Sequence, residues 1–412
     1  MATTRKGNKK TARSSDISTG VEGRTDSKRP RTATATATAT ASVNEEAVLP
    51  DNINSASESN SNAVTANNND DDDNNRELPT PAELSKELSK IVSDRYSREE
   101  SIRALKVLFK WALTKDVDFF KLFNTYAGIV RVVDFLKATM NDIHCKGSIR
   151  MKCIENAAAV IAQIAYTEEN EIVTKIVATL LDCDGINALI AASEEYTGGK
   201  NVPQLKAVRS VWRAFRNLTC VLSSNSLMIQ EMIQDTSIII FGTGIDIMSQ
   251  LKSVDGAFAS KILNDLFYTL TTFANHDYLT KKYFQDNNIL SKCLEVFKKN
   301  GTWNSRTCEG LIQNAVDFFD MCRIKNLLDE SLDYKLILPL LVVALKNFPL
   351  NYEMRCYVVS ILDYACSSEA NNKKSILRSG VTEPLVLLLA SDEINDEDEK
   401  NKVRTLISKI IS

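Results

Sequence analysis

Apolar residues begin to recur at helical spacing with Leu84, Leu88, Ile91 and Val92, and the pattern continues to the C-terminus with short polar breaks. Within it a helix-end segment repeats: Leu108-Phe109-Lys110-Trp111-Ala112, Ile161-Ala162-Gln163-Ile164-Ala165 and Phe215-Arg216-Asn217-Leu218-Thr219. Leu270-Thr271-Thr272-Phe273-Ala274, Phe318-Phe319-Asp320-Met321-Cys322 and Ile361-Leu362-Asp363-Tyr364-Ala365 complete the series. The central residues stand 53, 54, 55, 48 and 43 positions apart by subtraction. A period in this range predicts stacked helical units, because one short unit cannot bury its apolar face alone.

The first helix is predicted to open at Thr80-Pro81-Ala82-Glu83, a capping box with proline at the first helical position. Gly128, Gly185, Gly244 and Gly380 are each expected to precede a helix of similar type. Repeats of 53 to 55 residues are long, and Glu194–Pro203 and Ser223–Thr243 are the expected insertions. Residues 400–412 read as a final helix, a truncated unit that caps the stack.

The glycine–aliphatic helix starts and the Phe215-Arg216-Asn217-Leu218-Thr219 helix end resemble those of the armadillo repeat, over about residues 81–412. The resemblance implies an all-α fold, a right-handed α-solenoid of about six armadillo-like repeats. It also implies that third helices line a concave groove. In armadillo importin adaptors the third helix carries Trp four residues before an Asn that clamps the peptide backbone. Here that Trp position is filled by Lys106, Ala159, Arg213, Tyr268, Val316 and Val359, and the Asn position by Lys110, Gln163, Asn217, Thr272, Asp320 and Asp363. The clamping array is missing, so importin-adaptor activity is not expected. Trp212 is expected in the core.

Composition separates a tail from this body. Residues 1–79 contain no aromatic residue and are rich in Thr, Ala, Ser, Asn and Asp. Such a segment cannot bury enough apolar surface to offset the entropy of ordering it, so a disordered N-terminal tail is expected, basic over 1–43 and acidic over 44–79. Residues 1–43 hold nine Lys/Arg against three Asp/Glu, whereas residues 44–83 hold one Arg against ten acids. With a net charge of −3 overall, the body is left near neutral, which argues against a wide basic nucleic-acid face. The clusters Arg5-Lys6, Lys9-Lys10 and Lys28-Arg29-Pro30-Arg31 read as targeting signals for a cytoplasmic or nuclear protein. No apolar stretch from Met1 to Arg31 reads as a signal peptide, and Leu336–Leu345 is too short to span a membrane. Nine cysteines, not closely paired, read as free thiols of an intracellular protein.

Candidate chemistry is sparse. Ser237–Gly244 mimics a strand entering a dinucleotide turn, but Ile247 stands where the third glycine belongs, and an inter-repeat turn is expected. His144 and His276 are the two histidines; Cys145 and Cys153 lie near the first, without the second ligand pair a zinc site requires. The reading is of a non-enzymatic chain with no cofactor and no metal.

The clearest surface signal is Lys206, Arg209, Arg213 and Arg216, at i, i+3, i+7 and i+10 on one helical face beside Asn217. Lys152 and Lys261 occupy the register of Lys206 in the flanking units, and Asp317, Asp320 and Asp363 replace the cations farther along. Clustered cations favour an anionic partner. A groove basic early and acidic late would orient an extended, charge-asymmetric peptide. The expected function is therefore a protein–protein interaction scaffold or adaptor. An RNA- or other anion-binding repeat protein, and an adaptor inhibited by its own Asp70–Asp73 run, are the alternatives.

Overall fold

The structure, a computed structural model, describes residues 78–92, 95–166, 170–222, 227–251, 257–275, 279–299, 308–328, 333–368, 370–391, 394 and 396–412. The chain divides into two units, Met1–Asp71 and Asp72–Ser412, and all described residues belong to the second. Of the tail expected to be disordered, residues 1–77 lie outside them.

Among the described residues the chain is helical, with no strand. An opening pair, α1 (Pro81–Val92) and α2 (Arg98–Ala112), is followed by three-helix units α3 (Val117–Thr125), α4 (Gly128–Asn141), α5 (Gly147–Ile164) and α6 (Asn170–Asp182), α7 (Gly185–Glu194), α8 (Val202–Leu222). A two-helix unit follows, α9 (Leu227–Leu251) and α10 (Ala257–Asn275), then α11 (Lys281–Asp286), α12 (Ile289–Lys299) and α13 (Glu309–Ile324). The last units are α14 (Asp333–Asn347) with α15 (Tyr352–Ser368), and α16 (Ala370–Arg378), α17 (Thr382–Ala390) with α18 (Glu397–Ile411). The last helices of successive units, α2, α5, α8, α10, α13, α15 and α18, pack each on the next. A second row, α1, α4, α7, α9, α12, α14 and α17, does the same. One continuous apolar core runs between the rows from Leu84 to Ile410, as stacking of units that cannot bury themselves requires. The fold is an armadillo-like α-solenoid.

Local chemistry sets the helix starts. At α1 the Thr80 amide donates to Glu83 Oε2 at 2.9 Å and the Glu83 amide donates to Thr80 Oγ1 at 3.3 Å. The same box recurs at α2, where the Ser97 amide donates to Glu100 Oε2 at 2.8 Å. These bonds satisfy amides that the first helical turn leaves without partners. Before α4 and α7 the left-handed residue is not glycine but Ala127 (φ 53°) and Asp184 (φ 58°). Gly128 and Gly185 are needed for close approach instead. A Cβ on Gly128 would lie 2.6 Å from the Phe123 ring, and one on Gly185 would lie 2.8 Å from Leu180 Cδ2.

The structure refines one sequence expectation and corrects others. The expected insertion Ser223–Thr243 is helical from Leu227, where it forms part of the 25-residue α9. Gly244 does not open a helix, nor does Ser237–Gly244 turn between repeats, because both lie inside α9. Glycine in a helix interior costs about 1 kcal/mol against alanine, yet here the bare backbone lets Trp212 approach to 2.9 Å of a would-be Cβ. Tertiary packing overrides the local break signal. Finally, the last unit is not truncated but has all three helices, whereas the first, α1 with α2, has two. The expected break at Glu194–Pro203 is present between α7 and α8, where Gly198 (φ 86°) and Gly199 (φ 95°) take left-handed backbone and the Tyr196 hydroxyl donates to the Gly199 carbonyl at 3.0 Å. No single helix among the described residues is long and apolar enough to cross a membrane.

Candidate interaction surface

The row of last helices carries the candidate residues. Helix α8 buries Val208, Val211, Trp212 and Phe215 and leaves Lys206 and Arg213 exposed, with Arg209 and Arg216 half-buried on the same face. On the neighbouring helices Lys152 is exposed on α5 and Lys261 half-buried on α10. The cations of α8 have acidic neighbours on the flanking helices. Glu155 of α5 sits among Lys206, Lys106 and Lys152; burial holds its carboxyl above the usual range while the three ammonium groups pull it down. Asp265 of α10 accepts from Arg216 Nη1 at 3.0 Å and lies near Arg209 and Arg213. Burial raises its carboxyl despite these cations. The Arg216 guanidinium also lies 5.0 Å from the Tyr268 ring centroid.

Arg209 differs from Arg216. Its Nε is buried without a hydrogen-bond acceptor among the described residues. Burial lowers its pKa, Asp265 opposes that, and Arg213 adds to it. Lys261 is pushed down as well, by burial first and then by Arg209. Arg209 thus has Arg213 of its own helix and Lys261 of α10 as cationic neighbours, and the carboxylate beside it, Asp265, is bonded to Arg216.

The surface changes sign at α13. The Asp317 carboxyl is pushed up to about 6, by burial and by the charges of Asp320 and Glu353, against a hydrogen bond from Tyr357. Glu353 is exposed and accepts from Gln313 Nε2 at 2.6 Å. Asp320 is buried and held by Arg323 at 2.7 Å, and Arg323 Nη2 donates to Ser360 Oγ at 2.8 Å. Asp363 is paired with Lys409 of α18 at 2.5 Å.

The candidates thus fall into two groups. Lys152, Lys206, Arg209, Arg213, Lys261 and Asp317 lie on the face of the row, from exposed to half-buried. Arg216, Asp320 and Asp363 are engaged in ion pairs, and Asn217 is buried, donating from Nδ2 to the Ala162 carbonyl at 2.7 Å. Asn217 staples α8 to α5 and does not present its amide to the surface. Sequence reasoning missed Glu155, Asp265, Tyr268, Glu353 and Tyr357. A signal existed for the first two: each follows a candidate lysine by about one helical turn, Lys152 and Lys261 respectively.

The remaining motifs do not assemble a site. Trp212 is in the core, its Nε1 donating to Ser193 Oγ at 2.9 Å. His144 is exposed, Cys145 and Cys153 are buried, and His276 lies outside the described residues, as does the Asp70–Asp73 run. No group of three or more His, Cys, Asp or Glu among the described residues is placed to hold a metal ion.

No protein-family profile matches the chain, and no curated protein matches it. Among solved structures, an engineered protein aligns at 13% identity over 79% of this chain and 98% of its own, with a TM-score of 0.38. A designed armadillo repeat protein in complex with the peptide (KR)4 aligns at 15% identity over 80% of this chain and 99% of its own, TM-score 0.37. A second designed armadillo repeat protein aligns at 13% identity over 80% of this chain and its whole length, TM-score 0.37.

Proposed function

We propose that this armadillo-like chain is a binding scaffold whose row of last helices takes an extended, charge-asymmetric protein segment. The segment is acidic where it meets α5, α8 and α10 and basic where it meets α13 and α15. One observation carries the reading: Lys152, Lys206 and Arg213 are exposed on the early helices, whereas Asp317 and Glu353 face the same row later. A stack of helices offers many modest contacts to an elongated partner. Opposed charges add register and direction more than raw affinity.

The test uses a labelled peptide with an acidic half and a basic half, against a peptide of identical composition with alternating charge. The block peptide is expected to bind at least about tenfold tighter, a difference of about 1.4 kcal/mol. Changing both Lys206→Glu and Arg213→Glu should remove that advantage, and raising the salt should shrink it. Equal binding of the two peptides would exclude the reading.

A pH dependence follows from Asp317. Its carboxyl is neutral below about 6 and anionic above. Affinity for the basic half should therefore rise as pH increases from 5 to 7.5, and Asp317→Asn should flatten the rise. A titration unchanged by Asp317→Asn would remove this residue from the surface.

A further inference from the structure

We infer that Arg209 and Arg213 of α8, with Lys261 of α10, form a phosphate-binding site that takes a phosphorylated side chain of the bound segment. The inference rests on the reading of the row as a binding face, and it adds the chemical group that anchors there.

Geometry supplies the cluster. Arg209, Arg213 and Arg216 follow one face of α8 at i, i+4 and i+7. The 3.0 Å contact between Arg216 and Asp265 joins α10 to that face, and Lys261, one turn before Asp265, has Arg209 as its charged neighbour. Arg216 is thereby spent on Asp265. Arg213 and Lys261 form no ion pair or hydrogen bond among the described residues, and the buried Arg209 Nε has no acceptor there. A buried donor without an acceptor loses its solvation uncompensated, and like charges held together in a half-buried site repel. Both costs vanish when an anion enters.

The charge count selects the anion. Three cations border the site and, with Asp265 bonded to Arg216, no other carboxylate among the described residues is paired with them, so a single carboxylate would leave them under-compensated. A phosphorylated side chain carries about −1.5 to −2 charges at pH 7 and three acceptor oxygens. Guanidinium forks match phosphate oxygens in pairs, and lysine supplies a point charge beside them.

Three peptides test the inference at pH 7.5 on the full chain: the acidic–basic peptide with Ser, Glu or phosphoserine at the centre of its acidic half. Phosphoserine is expected to tighten binding at least about tenfold over Ser, and Glu by much less. Arg209→Met, which removes a half-buried cation whose buried Nε has no acceptor among the described residues and so should leave folding intact, is expected to abolish the increment, as is Lys261→Met. Free O-phosphoserine and inorganic phosphate are titrated separately by phosphorus NMR. A shift with O-phosphoserine that is lost in Arg209→Met supports the site, and a larger response to inorganic phosphate than to the phosphorylated side chain overturns the assignment of the source. A phosphoserine increment below about twofold, with the Ser peptide still bound, overturns the phosphate site and leaves the binding face standing. If no peptide binds and neither phosphate species shifts, both readings fall.

Discussion

Replacing Trp212 by alanine is expected to lower the stability of the helical body by about 3–5 kcal/mol, the range for deleting a large buried aromatic side chain. The ring has no exposure, and it lies where α8 meets two neighbouring helices. Its indole N–H donates to Ser193 Oγ of α7 at 2.9 Å, and Ser193 is itself buried. Its ring centroid lies 5.2 Å from that of Phe215. Its far edge fills the space left by Gly244 on α9. Truncation therefore opens a cavity, strips a buried hydroxyl of its donor and loosens two inter-helix contacts together. Urea denaturation would show the loss as a lower midpoint. Gly244→Ala supplies the control. Its Cβ would sit 2.9 Å from Trp212 and 3.2 Å from Leu270 Cδ2, so in the native background it should cost about 1–3 kcal/mol as overpacking. In the Trp212→Ala background the same change should cost much less. A double-mutant cycle without that coupling would contradict the contact.

The fate of Gly244 shows how far the sequence could be read. The period near fifty residues marked stacked helices because each unit must bury a face on the next, and that requirement is written in local apolar spacing. Trp212 was legible as core on the same ground. The path of α9 was not, because two glycines in Phe241-Gly242-Thr243-Gly244 signal a break locally. Only the approach of Trp212, from a helix thirty-two positions away by subtraction, gives the second glycine its reason. The charged face divides similarly. Lys206, Arg209, Arg213 and Arg216 share a helix, so their common face follows from 3.6-residue periodicity. Their counter-charges stand on other helices: Asp265 is 49 positions from Arg216, and Glu155 precedes Lys206 by 51. Which cations remain unpaired is therefore a tertiary fact. The same holds for Asn217, which occupies the position of a clamping residue yet turns its amide to the previous helix.

The other large effect is expected at the end of the stack, where Glu399→Ala should destabilise the junction of α15 and α18 by about 3–5 kcal/mol. Arg355 and Glu399 are 4% and 7% exposed. The guanidinium donates through Nε to Glu399 Oε1 at 2.7 Å and through Nη2 to Oε2 at 3.1 Å, a two-point pairing. Its Nη1 donates to the Pro349 carbonyl at 2.6 Å. Taking two ions out of water costs nearly what their attraction returns, so the intact pair adds little net stability. Removing one member is different, because it leaves the other ion buried and uncompensated. Glu399→Ala strands a buried guanidinium, and the route left to it is to reach water by parting α18 from α15. Arg355→Met combined with Glu399→Leu should recover most of the loss, since neither ion then remains. In a repeat stack each unit is held by its neighbours alone. The damage should therefore appear as faster amide exchange confined to α16, α17 and α18, with α5 and α8 unchanged. Uniform exchange along the whole body, or a double variant no better than Glu399→Ala, would show that the ion pair does not hold this junction.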